Sequence, residues 1–195
     1  MKLFYTRLHQ RDAAFLFLCM SYLNIEIKAR CTDSRFIRDY LLSRGADFKG
    51  TDHQTDTYFN VPHGRLKLRE GNIENNLIFY IRPDQAGPKA SAFQLVKVED
   101  AAGLKAALIS ANGIKTVVEK KREIYFIDNV KFHIDEVPGL GSFVEIEAGN
   151  ISAPALGSVE LKEQCDSYLT AFGIRDEDLV EVSYSDLLLA KVNGL

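Results

Sequence analysis

The 195-residue sequence predicts an α+β domain: a closed antiparallel eight-stranded β-barrel with helices packed outside. Two patterns carry that expectation. In several segments ionised side chains alternate with apolar ones, so each segment puts charge on one face and hydrocarbon on the other. Turn formers join many of these segments directly, with helical stretches at only a few points, which favours antiparallel neighbours. Closing such a sheet removes its edges and creates an inside. If helices cover the apolar outer face, the ionic faces point into a lumen. Lys and Arg packed there repel one another unless carboxylates or a bound anion share the space, so a polyanion is the natural occupant.

The first strand, residues 23–30, places Asn24, Glu26 and Lys28 on one face and Ile25, Ile27 and Ala29 on the other. Residues 32–34 can cap a helix whose stripe is Phe36, Ile37, Tyr40 and Leu41 and which Gly45 ends. A Thr, Tyr and Phe-rich strand at 53–60 turns through 62–64 into a strand at 65–70, forming a hairpin. A fourth strand at 77–82 stops at Pro83, and a fifth follows at 92–98, with Arg82 and Lys97 as inward bases. Asp100 caps a second helix that ends at Asn112-Gly113. Strands at 115–127, 130–137 and 142–148 are joined by Asp128-Asn129 and by Pro138-Gly139-Leu140-Gly141. Helices at 158–172, with Leu161, Cys165, Tyr168, Leu169 and Phe172 on one side, and at 185–192 finish the chain.

Composition narrows the function. With 46% hydrophobic residues the chain suits one globular domain or two very small ones, and a single domain is taken over residues 21–195. A net charge of -3 argues against a general nucleic-acid binder, so any basic site must be local. Cys19, Cys31 and Cys165 lack metal-ligand spacing and fit a reducing cytoplasmic compartment, with buried small side chains as their ordinary role. Residues 1–20 stand apart: Lys2, Arg7 and Arg11 precede a short apolar run, without a cleavage pattern and too short to span a bilayer. They read as an extension ahead of a start at Met20 or as a short extra helix on the domain, and no membrane partner is expected.

Phosphate-loop chemistry is absent, since Gly139-Leu140-Gly141 is too short and lies in a turn. Cys165 lies on an apolar helix stripe, which sets aside a pairing with His133 as nucleophile and base. His133 reads as a packed or hydrogen-bonded histidine, Lys121 and Glu123 as solvent-facing, and Arg30 as a strand-end cap. Glu145 and Glu147, two apart on one strand face, can join Glu26 as oxygen ligands for magnesium or manganese.

The motifs N-I-E-I-K at 24–28, H-Q-T-D-T-Y-F at 53–59, K-L-R-E at 67–70, E-K-K-R-E-I-Y at 119–125 and K-F-H-I-D-E-V-P-G-L-G-S-F-V-E-I-E at 131–147 resemble the CYTH superfamily of triphosphate tunnel enzymes. The last of these and S-Y-S-D-L-L at 183–188 are similar to class IV adenylyl cyclases. The resemblance implies metal binding by Glu26 and Glu145 with Glu147 as helper, triphosphate contacts by Lys28, Arg69, Arg82, Lys120 and Arg122, and Asp135 acting near the attacking group. Lys67 and Lys97 are further phosphate-binding candidates, and Lys28 a catalytic one. The family's first motif is E-x-E-x-K; here its first position is Asn24, which puts one metal contact in question. The expected activity is metal-dependent conversion of ATP to cyclic AMP and pyrophosphate. The alternatives are hydrolysis of thiamine triphosphate, inorganic triphosphate or a nucleoside triphosphate, and non-catalytic polyphosphate or nucleotide binding. A homodimer is compatible with this reading.

Overall fold

A computed structural model describes residues 23–81 and 87–194. It contains strands β1 (Asn24–Arg30), β2 (Asp47–Phe59), β3 (Arg65–Glu70), β4 (Asn76–Ile81), β5 (Lys89–Lys97), β6 (Ile114–Ile127), β7 (Val130–Val137) and β8 (Gly141–Gly149). The helices are α1 (Ser34–Ser43), α2 (Ala101–Asn112), α3 (Ser158–Ala171) and α4 (Tyr184–Val192). All pairings are antiparallel, in the order β1-β5-β4-β3-β2-β6-β7-β8. The sheet curls until β1 has a neighbour on each side: β8 along its whole length, and β5 through Asn24 to Glu26 opposite Ser91 to Lys89.

β2 starts at Asp47, well before the Thr, Tyr and Phe-rich segment at 53–60 that the sequence marks out. The register slips between Phe48 and Gly50, and Gly50 has φ +118, so the extra residues form a bulged extension that follows no simple period. Residues 1–20 and Arg82 lie outside the described residues. Among the described residues no helix is long and apolar enough to cross a membrane.

The main core lies outside the sheet, as the alternation requires. Ile25, Ile27, Ala29, Phe132, Ile134, Val144 and Ile146 pack beneath Ile37 and Leu41 of α1 and Leu161 and Cys165 of α3. Each large side chain buried there contributes about 1.5–3 kcal/mol. Asp33 and Asp100 cap α1 and α2, accepting from Phe36 N and Gly103 N, each at 2.9 Å. Glu123 differs from expectation. Rather than facing solvent, it accepts from Arg38 Nε at 2.9 Å and Nη2 at 2.7 Å and from the Tyr125 hydroxyl at 2.7 Å, which ties α1 to β6. Lys121 is exposed, and Arg30 donates from the strand end to the Leu140 carbonyl at 3.4 Å.

A second apolar cluster, Tyr58, Val118, Val137, Phe143, Val180 and Tyr184, fills one end of the space inside the sheet. The C-terminal segment seals that end: Val180 N donates to the Lys28 carbonyl at 2.8 Å, and Arg65 pairs with Asp186 of α4 at 2.9 Å. The other end is left polar.

Candidate functional site

The inward positions of β1, β2, β3, β6, β7 and β8 line one cavity with charged side chains drawn from all of them. Period-two alternation accounts for this: Lys28, Lys67, Arg69, Lys120, Arg122 and Glu145 each sit on the strand face opposite the helix-covered core.

One wall is centred on Asp56 of β2, which is 1% exposed. Its carboxylate accepts from Lys67 Nζ at 2.9 Å, from Arg69 Nε at 2.8 Å and Nη2 at 3.1 Å, and from Lys120 Nζ at 2.7 Å. Burial pushes the Asp56 carboxyl up, but the three bases outweigh it and hold the group well below the usual carboxylate range. Burial pushes the Lys120 ammonium down to about 7, against the pull of Asp56. Asp56, with Glu74 accepting from Arg69 and Lys131, gives two carboxylates to the four bases Lys67, Arg69, Lys120 and Lys131, so this wall has cationic capacity left for an anion.

The facing wall is centred on Glu145 of β8. Its Oε1 lies 2.9 Å from Lys28 Nζ, and its Oε2 accepts from Arg122 Nη2 at 2.6 Å and lies 3.2 Å from His133 Nδ1. Burial opposes ionisation of Glu145, yet Lys28 and Arg122 keep it well below its ordinary value. Glu147 Oε1 lies 3.5 Å from the same His133 nitrogen, and Glu26 faces Glu147 in the β1–β8 register. Lys28 Nζ also sits 3.9 Å over the Tyr184 ring.

A divalent cation fits this wall. His133, Glu145 and Glu147 each present a ligand atom within 4.8 Å of the others, a mixed nitrogen and oxygen set that suits manganese, with the carboxylates suiting magnesium. Burial and then Arg122 push the His133 imidazole below its ordinary value, which favours the neutral form that can offer a lone pair. His133 is 1% exposed and hydrogen-bonded, as expected, and it also belongs to the tight acidic group, which was not expected. Glu26 lines the same cavity outside that group.

Of the other residues singled out in sequence, Lys28, Lys67, Arg69, Lys120, Arg122 and Asn24 line the cavity. Asp135 does not. It lies behind the wall, 1% exposed, holding Arg122 through two bonds of 2.6 and 2.5 Å and accepting from the Tyr184 hydroxyl at 2.8 Å. It therefore fixes the guanidinium of Arg122 from behind the cavity lining. Lys97 shares the facing of Phe93 and Leu95, but it stands exposed at the end of β5, beyond the cavity lining. Four functional candidates were missed. Asp56 and Tyr184 lay inside quoted motifs, Lys131 alternates with His133, and Glu74 sits in a loop with no periodic signal.

The CYTH domain family model matches residues 23–165. A candidate adenylate cyclase of Methanocaldococcus jannaschii is 28% identical over 176 residues, spanning 85% of this chain and 98% of its own. A solved structure from Pyrococcus horikoshii superposes with a TM-score of 0.73 at 25% identity, covering 84% of this chain and 98% of that one. A candidate adenylyl cyclase of Hippeastrum, reported to have a dominant triphosphatase activity, has the same fold with a TM-score of 0.61 at 14% identity, covering 89% and 97%. The matched residues begin at Leu23, run through all eight strands and reach into α3, so the whole cavity-forming sheet is included, and the chain belongs to the CYTH domain family.

Proposed function

We propose that the curled sheet acts as a closed tunnel that binds a metal-complexed triphosphate, and that the protein is a class IV type adenylyl cyclase. The observation that carries this reading is the division of one cavity into a wall with surplus bases around Asp56 and a wall with surplus carboxylates around Glu145. A triphosphate needs the first and its accompanying cation the second. Lys67, Arg69 and Lys120 grip phosphate oxygens from one side, and Lys28 and Arg122 reach them from the other. Glu145 and Glu147, with Glu26 alongside and His133 as a fourth donor, would hold magnesium or manganese. When bound, that ion supplies neutralisation of charge developing on the transferring phosphoryl group.

None of these residues is needed as a nucleophile. Their role is to fix the chain of phosphates in line with an attacking hydroxyl and to stabilise charge in a site from which water is largely excluded. In the cyclase the ribose 3′-hydroxyl attacks the α phosphorus and pyrophosphate leaves. Asp135 and the Tyr184 hydroxyl keep Arg122 oriented for that step. The Methanocaldococcus relative favours this reading by name. The Hippeastrum neighbour supports a second one, hydrolysis at the γ phosphorus, because the same clamp serves either attack.

Incubation with ATP and manganese, followed by chromatography of the products, separates them. Cyclic AMP and pyrophosphate in excess over ADP and phosphate are expected. ADP without cyclic AMP moves the assignment to a triphosphatase. Tight binding without turnover of ATP, thiamine triphosphate or tripolyphosphate leaves a non-catalytic binder.

A further inference from the structure

The loop between β3 and β4 is built to hold one carboxylate at the polar end of the cavity. Asp52, 0% exposed, accepts from Ile73 N at 2.9 Å, from Glu74 N at 3.0 Å and from Gln54 Nε2 at 2.8 Å. Asn72 accepts from His53 N at 2.7 Å, and Asn75 closes the turn onto both Gly71 N and Gly71 O at 3.2 and 2.9 Å. A Cβ at Gly71 would stand 2.6 Å from an Asp52 oxygen, so the close approach of loop and strand depends on glycine there. The backbone at Glu74 is thus fixed from several directions. Its carboxylate turns inward, where Oε2 accepts from Arg69 Nη1 at 2.8 Å and Gln54 Nε2 at 3.1 Å, and Oε1 accepts from Lys131 Nζ at 2.7 Å.

That contact joins β3 to β7 across the cavity. Arg69 has already committed Nε and Nη2 to Asp56, so Glu74 takes its third nitrogen. A carboxylate in this position offers the same charge-assisted acceptors that a phosphoryl group would.

We propose that Glu74 is a chain-length determinant, whose carboxylate stands where a phosphoryl group beyond the third would otherwise meet Arg69 and Lys131. The inference rests on the triphosphate reading of the same lumen. A longer polyphosphate must either pull Glu74 from two cations or bring an anion against it, which is rejection by a repulsive element. A triphosphate seated on Lys28, Lys67, Lys120, Arg122 and the Asp56-facing side of Arg69 leaves Glu74 on the remaining Arg69 nitrogen and on Lys131.

Calorimetry without metal, using tripolyphosphate and linear tetrapolyphosphate on the wild-type protein and on Glu74→Gln, tests this. Affinity for tetrapolyphosphate is expected to rise at least about tenfold in the variant, while that for tripolyphosphate changes less than about threefold. Equal gains for the two chains, as simple removal of a negative charge produces, overturn the proposal, and so does no gain for tetrapolyphosphate. In either case unimpaired tripolyphosphate binding by the wild-type protein leaves the triphosphate reading standing. Failure of both proteins to bind either chain removes that reading and the role of Glu74 together. Glu74→Ala, measured in parallel with its thermal unfolding, answers the same question should Glu74→Gln fold poorly.

Discussion

On one side of the cavity Lys67, Arg69 and Lys120 surround Asp56, with Glu74 taking one further nitrogen of Arg69; on the other, Lys28 and Arg122 meet the three carboxylates Glu26, Glu145 and Glu147, with Asp135 behind Arg122. Both walls come from the same alternation of charge and hydrocarbon, and both are internally paired. They differ in which sign is left over. Internal pairing makes burial tolerable, while the remainder sets what each wall attracts, an anion on one side and a cation on the other. A mutation that changes the remainder should therefore act on one ligand far more than on the other.

The largest effect is expected at Asp56. Asp56→Asn leaves Lys67 and the buried Lys120 without a counter-charge and Arg69 with Glu74 alone, and should lower stability by about 3–5 kcal/mol, read by thermal or denaturant unfolding. Added tripolyphosphate should restore part of the loss, because it supplies the missing negative charge. Unchanged melting would mean that water already screens this wall.

Next comes Glu145→Gln on the opposite wall. Metal-dependent turnover should fall at least about a hundredfold, whereas metal-free tripolyphosphate binding persists, since Lys28 and Arg122 lose an internal competitor. Normal metal activation of this variant would erase the distinction between the walls.

Lys120 gives a pH test of the cationic wall alone. Burial places its ammonium near a pKa of about 7, although Asp56 pulls the other way, and a bound polyanion favours the charged form. Binding then takes up a proton near neutrality, so metal-free tripolyphosphate affinity should weaken as pH rises above about 7, by up to about tenfold per unit. Lys120→Arg, which stays charged throughout, should lack this part of the slope in calorimetric titrations.

The smallest effect is expected at Asn24, on the polar rim of the carboxylate wall. Asn24→Glu adds a charge that strengthens the oxygen ligand set, so a several-fold lower metal concentration should give half-maximal activity. Metal-free tripolyphosphate binding should weaken in the same variant. A protein indistinguishable from the parent in metal titrations and calorimetry would show that position 24 does not feel the metal site.

Most of the charged cavity lining was legible because a strand reports its facing through every second residue. Lys28, Lys67, Arg69, Lys120, Arg122, Glu145 and Glu147 could be placed on inward faces before any contact was known. Alternation says nothing about depth. Lys97 has the right facing, yet β5 ends there and leaves it outside, while Asp135 has the right facing and is screened from the cavity by the arginine it holds. Glu74 gave no periodic signal, because its direction is set by a loop bonded to Asp52. His133 was readable as buried and hydrogen-bonded, but only the pairing of β7 with β8 brings it opposite Glu145.

By itself, the sequence determined the secondary elements, the division of each strand into a charged and an apolar face, and hence a lumen lined with ions beneath a helix-covered exterior. These properties are local, since each follows from residues within one strand or one helical turn. The tertiary structure alone decided which acid meets which base. That choice depends on register across eight strands and on where the C-terminal segment and the β3–β4 loop close around the lumen. An ion pair depends on an approach of about 3 Å, a distance that only assembly of remote segments can set.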